Sequence, residues 1–354
     1  MSGAPQGSGA DGGRPVDARF ERQARFVPLG EAGQRRLAER RVLLVGCGAL
    51  GGVLAQWLAR AGVGELVLVD RDVVEVTNLP RQVLFTEAHA REGVPKVTAA
   101  AESLALVGGP TQVTPHAAHL DADRLLDLGE GVDLILDGTD NMGTRYLVND
   151  FAVREATPWI YAGVVSAGGL VLPVLPGRGP CLRCVFPDPP PPGTLPTCDT
   201  AGVLGPAVGA IASTQAGLAL RLLAADEPPE PALVELDVWS GTARRLPVPR
   251  ADACPCCGDR RFEFLEGGAV DEATSLCGRN TVQVLPPAGA PAPVMELIEG
   301  ALRGAGLEPA RVGPLLRFTA EEHRVTLFPD GRALVEGTED TSRARAVVAR
   351  WVGA

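Results

Sequence analysis

Four histidines in 354 residues are too few and too scattered to support a histidine-based catalytic centre. No continuous apolar run reaches the roughly 20 residues that a membrane-crossing helix needs. The opening MSGAPQGSGADGGRP has no apolar signal core; its Gly, Ser and Pro predict a disordered lead over residues 1–18, and a cytosolic (cytoplasmic) location is expected. Positive charge is also short: the formal net charge of −10 gives no support to sequence-independent nucleic-acid binding, although a total does not exclude a local basic patch. No internal repeat stands out. What remains, 45% hydrophobic and 21% charged, suits a globular chain of about two domains.

The stretch VLLVGCGALGG, residues 42–52, carries the first functional signal. An apolar strand runs into Gly46, Gly48 and Gly51, and LAQWLARAG continues with helical spacing. Glycines at such a strand-to-helix turn let the backbone approach a phosphate, and free amides at the helix start attract it. A second strand, ELVLVD, ends at Asp70, near the spacing at which an acid meets a ribose hydroxyl. These features alone leave a dinucleotide-dependent oxidoreductase, an ATP user and a ligand-free packing turn open.

Eight cysteines in a reducing compartment favour metal ligation or reactive thiols over disulfides. Cys181 and Cys184 in CLRC, and Cys254 and Cys257 in CPCCG, have the spacing with which two thiolates bind one metal from a tight turn. Four thiolates close the tetrahedral shell of structural zinc and leave no open position for a substrate. Cys256 competes with Cys257 as the fourth ligand.

The pattern along the chain predicts an α/β fold. A polar helix (EAGQRRLAERR) precedes strands at 42–45, 65–70, near 111–116 and in VDLILDGTD, with a helix around 95–107. Such alternation describes a doubly wound, Rossmann-like, mostly parallel sheet. A proline-rich connection ending near Cys198 breaks it, before a long apolar helix at about 203–224 and two strands near 232–248. The expected domains are an ATP-binding domain over 19–265, with the zinc at its end, and a small α+β unit over 271–354. That unit has a helix near 294–304, the hairpin RVTLFPDGRALVEG and a final helix. Trp57 is expected in the core, Cys47 is expected to pack inside the glycine loop, and His116 and His119 are expected at a solvent-facing strand end.

DRDVVEVTNLPRQ decides between the nucleotides. It sets Asp70, Asp72 and Glu75 before Asn78, Arg81 and Gln82, with Lys96 and the Asp140 of DGTDN further on. Hydride transfer has little use for these cations and extra acids, whereas ATP cleavage needs cations and a magnesium ligand. With RFERQ, GCGALGG, CLRC, CDTAGVLGP and CPCCG in the same order, residues 19–258 resemble the ThiF/MoeB/HesA family, bacterial relatives of the ubiquitin-activating enzymes.

The resemblance implies an adenylyltransferase. The C-terminal glycine carboxylate of a small ubiquitin-like sulfur carrier with a diglycine tail would attack the α-phosphorus of ATP, in thiamine, molybdopterin or tRNA-thiolation pathways. By similarity Gly46, Gly48 and Gly51 hold phosphates and Asp70, with Asp72 beside it, holds the ribose. Asn78, Arg81 and Lys96 line the triphosphate. Asp140, with Asn141 beside it, holds magnesium. Arg22 is supplied to the partner subunit of a homodimer, Pro80 replaces the family's usual glutamine, and Cys198 is either an acyl-accepting nucleophile or a loop residue. Cys277 is a persulfide candidate or a buried structural thiol. The tail lacks the size and pattern of a rhodanese domain, so sulfur is loaded on this chain or delivered by a separate sulfurtransferase or cysteine desulfurase. Two other readings are adenylation of another carboxylate, such as threonylcarbamoyl-adenosine in tRNA, and a non-catalytic nucleotide-binding scaffold.

Overall fold

The computed structural model describes residues 16–190, 198–267, 273–276, 280–286 and 290–353. The lead before Val16, residues 191–197 of the proline-rich connection, Cys277 and Arg279 lie outside these residues, as do the side chains of Cys198 and Asp199.

Among the described residues the first sheet has eight strands: β1 (Arg41–Val45), β2 (Glu65–Asp70), β3 (Gln112–Ala117), β4 (Leu134–Asp137), β5 (Trp159–Val165), β6 (Gly168–Val174), β7 (Ala232–Asp237) and β8 (Thr242–Pro247). Their order is β3-β2-β1-β4-β5-β6-β7-β8, parallel from β3 to β5 and antiparallel from there on. Chain order reverses between β1 and β4, and the crevice beyond the carboxyl ends of those strands is where doubly wound folds bind ligands.

β1 shows why three layers form. Val42 and Leu44 point into one core with Leu54 and Leu58 of the helix Ala49–Ala61, Val97 and Leu104 of Lys96–Val107, and Val208 and Ile211 of Gly205–Ala224. Leu43 and Val45 point into the other core, with Leu125, Tyr146 and Phe151. A strand covered on both faces must be apolar at every position, which is why its sequence reads as an unbroken apolar run.

Gly205–Ala224 is the long apolar helix expected at about 203–224, and it departs only from the expectation that no apolar run reaches membrane-crossing length. At 20 residues and a mean hydropathy of 1.4 it is long and apolar enough to cross a membrane by length and composition. Half of that window is buried, through Val208, Ile211, Ala212, Ala216, Ala219 and Leu223 in the core. Trp57 departs as well: it is 50% exposed on the outer face of Ala49–Ala61, with its indole N–H donating to Ser213 Oγ.

A second, antiparallel sheet is built from β9 (Ala273–Leu276), β10 (Thr281–Val284), β11 (Ala310–Val312), β12 (Leu315–Ala320), β13 (His323–Leu327) and β14 (Ala333–Glu336), in the order β11-β12-β13-β14-β10-β9. The helices Met295–Gly304 and Thr341–Trp351 contribute Met295, Leu302, Val347 and Val348 to its own core, beside Val282, Phe318, Val325 and Val335.

Candidate nucleotide site

The glycines of the loop after β1 divide into two kinds. A Cβ on Gly46, whose φ is +86°, would lie 2.7 Å from the carbonyl of Gly138, and one on Gly51 would lie 2.0 Å from the Gly46 oxygen. Gly138, after β4, is equally constrained, at 2.4 Å from the Gly46 oxygen. These three let the ends of two neighbouring strands nest, which gives Gly46 and Gly51 a packing role. Gly48 differs: the nearest atom to its missing Cβ is Gln82 Nε2 at 3.7 Å. It caps the helix Ala49–Ala61 with no side-chain cap, so the loop is open here, at the first turn of the helix, the kind of place that suits an anion.

Acids and a buried lysine converge beside this opening. Asp70, at the end of β2, accepts the N–H of Cys47 and that of Asp72, each at 2.7 Å. This ties the second strand's acid to the glycine loop. Burial pushes the Asp70 carboxyl up, and Lys96 opposes that shift. Lys96 opens the helix Lys96–Val107 directly after Pro95; it is 5% exposed and its Nζ lies 2.9 Å from Asp72 Oδ2. Its N–H also donates to the Asp72 carbonyl. Burial pulls this lysine's pKa down, yet Asp72 and Asp70 outweigh it and raise the pKa, so it stays an ammonium.

Asp140 is exposed beyond β4, close enough to raise the Lys96 pKa further. Asn141, not Asp140, caps the helix Met142–Glu155, its Oδ1 accepting from Thr144 N–H at 3.0 Å. Asn78 is buried and spends its side-chain oxygen on the Glu75 N–H at 3.1 Å, so it shapes its own turn. Arg81, half-exposed, donates to the Thr77 carbonyl. Cys47 is fully buried, and burial pushes its thiol up, in keeping with a packing role.

Arg22 is not brought to this site in its own chain. It is exposed on the short helix Glu21–Ala24, whose neighbours Phe20 and Gln23 pack at Gly62 and Ala61. That is the far end of a 13-residue helix, about 20 Å from the glycine loop. Cys198 begins the short helix Cys198–Ala201, which leads to the pairing of Ser166 with Val203.

Sequence reasoning missed two buried polar groups, Arg145 and Gln215, and assigned no role to a third, Gln82. Arg145 donates from Nε to Asp137 Oδ2 at 2.9 Å and from Nη2 to the Thr139 and Ala162 carbonyls, so it braces the loop that carries Asp140. Gln215 lies inside the apolar helix and donates to the Asp137 and Ile160 carbonyls. Gln82 is 4% exposed, and its Oε1 has no hydrogen-bond partner among the described residues. For Arg145 and Gln215 the available signal was a polar side chain on the buried face of a helix.

Cys181, Cys184, Cys254 and Cys257 form a cluster whose sulfurs all lie within 4.8 Å of one another. Contacts of 3.4, 3.5 and 3.9 Å compare with about 3.8 Å between the corners of a Zn–S tetrahedron with 2.3 Å bonds. The cluster therefore could hold zinc; burial and the neighbouring sulfurs push the Cys257 thiol up, so several thiolates here need a cation. Cys256 is outside the set: its sulfur faces the Asn149 amide at 3.2 Å. Asn149 also accepts from Leu182 N–H, so the helix that begins beside Asp140 grips both cysteine loops.

This geometry defines an α/β nucleotide-binding protein with a cysteine-clamped end. The chain belongs to the ThiF family, whose sequence model matches residues 20–256. It is 40% identical over 340 residues to the sulfur carrier protein ThiS adenylyltransferase of Bacillus subtilis, covering 96% of this chain and 100% of that one. It is 42% identical over 275 residues to the adenylyltransferase and sulfurtransferase MOCS3 of Sus scrofa, covering 76% of this chain and 60% of that protein. Among solved structures, the fold is similar to Escherichia coli MccB with MccA-N7isoASN, at a TM-score of 0.60 and 22% identity, over 68% of this chain and 75% of that chain.

Proposed function

We propose that this chain is an adenylyltransferase that uses ATP and magnesium to activate the C-terminal carboxylate of a ubiquitin-like sulfur carrier. The carrying observation is the buried Lys96–Asp72 pair near the open face of Gly48, with Asp140 close enough to act on Lys96. A carboxylate oxygen forms a bond to the α-phosphorus, the bond from that phosphorus to the bridging oxygen breaks, and pyrophosphate leaves with the electron pair. The attacking group is already ionised at neutral pH, so the site has to position it and neutralise charge rather than remove a proton. Lys96, held charged, and Arg81 supply cations for the developing phosphate charge; Asp140 offers magnesium an oxygen. Arg22, remote from its own site, suits supply to a partner subunit, so a homodimer is part of the reading. The full-length match to a ThiS adenylyltransferase favours a thiamine-pathway carrier.

The test is pyrophosphate exchange into ATP with diglycine-tailed carriers added singly. Exchange with one carrier, lost in Asp140→Ala, supports the reading. ATP binding without exchange on any carrier would turn attention to another carboxylate or to a scaffold.

A further inference from the structure

The second sheet sits against the nucleotide site through two arginines. Arg332 follows the tight turn Phe328–Gly331 between β13 and β14, closed by the Phe328 N–H to Arg332 carbonyl bond at 2.8 Å. It is 1% exposed, and its guanidinium lies 3.4 Å from the Phe328 ring centroid. Its Nη2 donates to the carbonyl of Arg71, the residue between Asp70 and Asp72. Nε and Nη1 have no hydrogen-bond partner among the described residues; Asp330 Oδ2 lies 3.9 Å from Nε. Asp330 also accepts the N–H of His119, beyond β3.

Arg317, on β12, makes the second contact. Its Nη1 and Nη2 donate to the Glu92 and Gly93 carbonyls, each at 2.6 Å. Gly93 has a φ of +58°, and a Cβ there would lie 2.3 Å from Arg317 Nη2, so the guanidinium occupies the space a side chain would fill. The chain from Gly93 runs through Val94 and Pro95 straight into Lys96, and Val73 bridges to Pro95.

One arginine thus holds the backbone that bears Asp70 and Asp72, and the other holds the backbone that leads to Lys96. We propose that the C-terminal unit is a working part of the nucleotide site, with Arg332 and Arg317 as positioning residues that fix the two turns whose side chains meet in the Lys96–Asp72 pair. This rests on the reading of Gly48, Asp70, Asp72 and Lys96 as nucleotide-binding groups. Burying an arginine with unpaired N–H groups is costly, and a surface-to-surface contact made only to cover apolar area does not require it.

The experiment uses the full chain and needs no carrier. Binding of a non-hydrolysable ATP analogue with magnesium is measured by calorimetry, well below the unfolding midpoint of each variant. Arg332→Ala and Arg317→Ala are expected to weaken binding about tenfold or more, the scale of misplacing a contact group. Arg332→Lys, which keeps one donor for the Arg71 carbonyl, is expected to restore most of it, and Arg350→Ala, on the outer helix, to leave it unchanged. Should Arg332→Ala fail to fold, Arg317→Ala decides, since the partners Arg317 leaves behind are two backbone carbonyls and a hydroxyl rather than a buried charge. Unchanged affinity in variants with lowered unfolding midpoints would overturn the proposal and leave the arginines a stabilising role alone. A wild-type chain that bound no analogue would overturn the nucleotide reading, and this inference with it.

Discussion

Lys96 Nζ and Asp72 Oδ2 are 2.9 Å apart with the lysine 5% exposed, and the same two residues are joined again through the Lys96 N–H and the Asp72 carbonyl. The double link makes the ammonium part of the fold as well as of the site. Lys96→Met is therefore expected to cut adenylate formation at saturating ATP by about a hundredfold or more, the scale of losing one preorganised donor. Pyrophosphate exchange measures it; a loss under threefold would remove Lys96 from the chemistry.

The two kinds of glycine separate binding from folding. Gly51→Ala would force its Cβ to 2.0 Å from the Gly46 oxygen, so we expect a loss of about 1–3 kcal/mol in urea unfolding. Gly48→Ala meets nothing closer than 3.7 Å and is expected to keep its stability within about 0.5 kcal/mol while raising the KM for ATP. Equal stability loss in both would refute the division.

Arg145 and Asp137 form a buried pair in which each is the other's counter-charge. Removing one partner strands the other, and Arg145→Leu is expected to cost about 3–5 kcal/mol by chemical denaturation. The loop bearing Asp140 would lose its brace at the same time, so exchange activity should fall even in the folded fraction.

His119 gives a pH signature at the junction with the second sheet. Burial first, and then Arg71 and Arg332, pull its pKa down to about 4, against about 6.5 unfolded. Between those values the unfolded chain binds more protons, so this contribution is whole above pH ~6.5 and is lost as pH falls toward 4. Urea midpoints should drop less steeply over that window in His119→Gln than in the wild type.

The cysteine cluster predicts one bound zinc per chain by elemental analysis. Cys254→Ser should lose the metal and lower the unfolding temperature, whereas Cys256→Ser, outside the set of four, should keep it. A chain that purifies metal-free yet keeps its unfolding temperature when a chelator is added would count against a structural zinc.

The alternation of apolar strands and helices, the glycine turn and the paired cysteines were legible in sequence because each follows from local rules. A strand buried on both faces must be apolar throughout, a tight turn must lack side chains, and two thiolates must be close along the chain to bind one ion. Asp70, Asp72, Lys96 and Asp140 are nominated differently, by the resemblance to the ThiF/MoeB/HesA family rather than by a local rule. What the local pattern did not contain was spatial: that Gly46 and Gly51 are occupied by packing against Gly138, that Trp57 faces outward, and that Asn149 of one helix holds both cysteine loops. Arg145, Gln215 and Arg332 were invisible for the same reason. A polar residue in an apolar segment announces a partner but not which one, because the partner is chosen by chain crossing rather than by sequence spacing. The sequence by itself determined the elements and the chemistry they can offer; only the tertiary structure decided which backbone carbonyl each buried charge would hold, because burial leaves a charge no water and makes it take whatever acceptor the fold brings near.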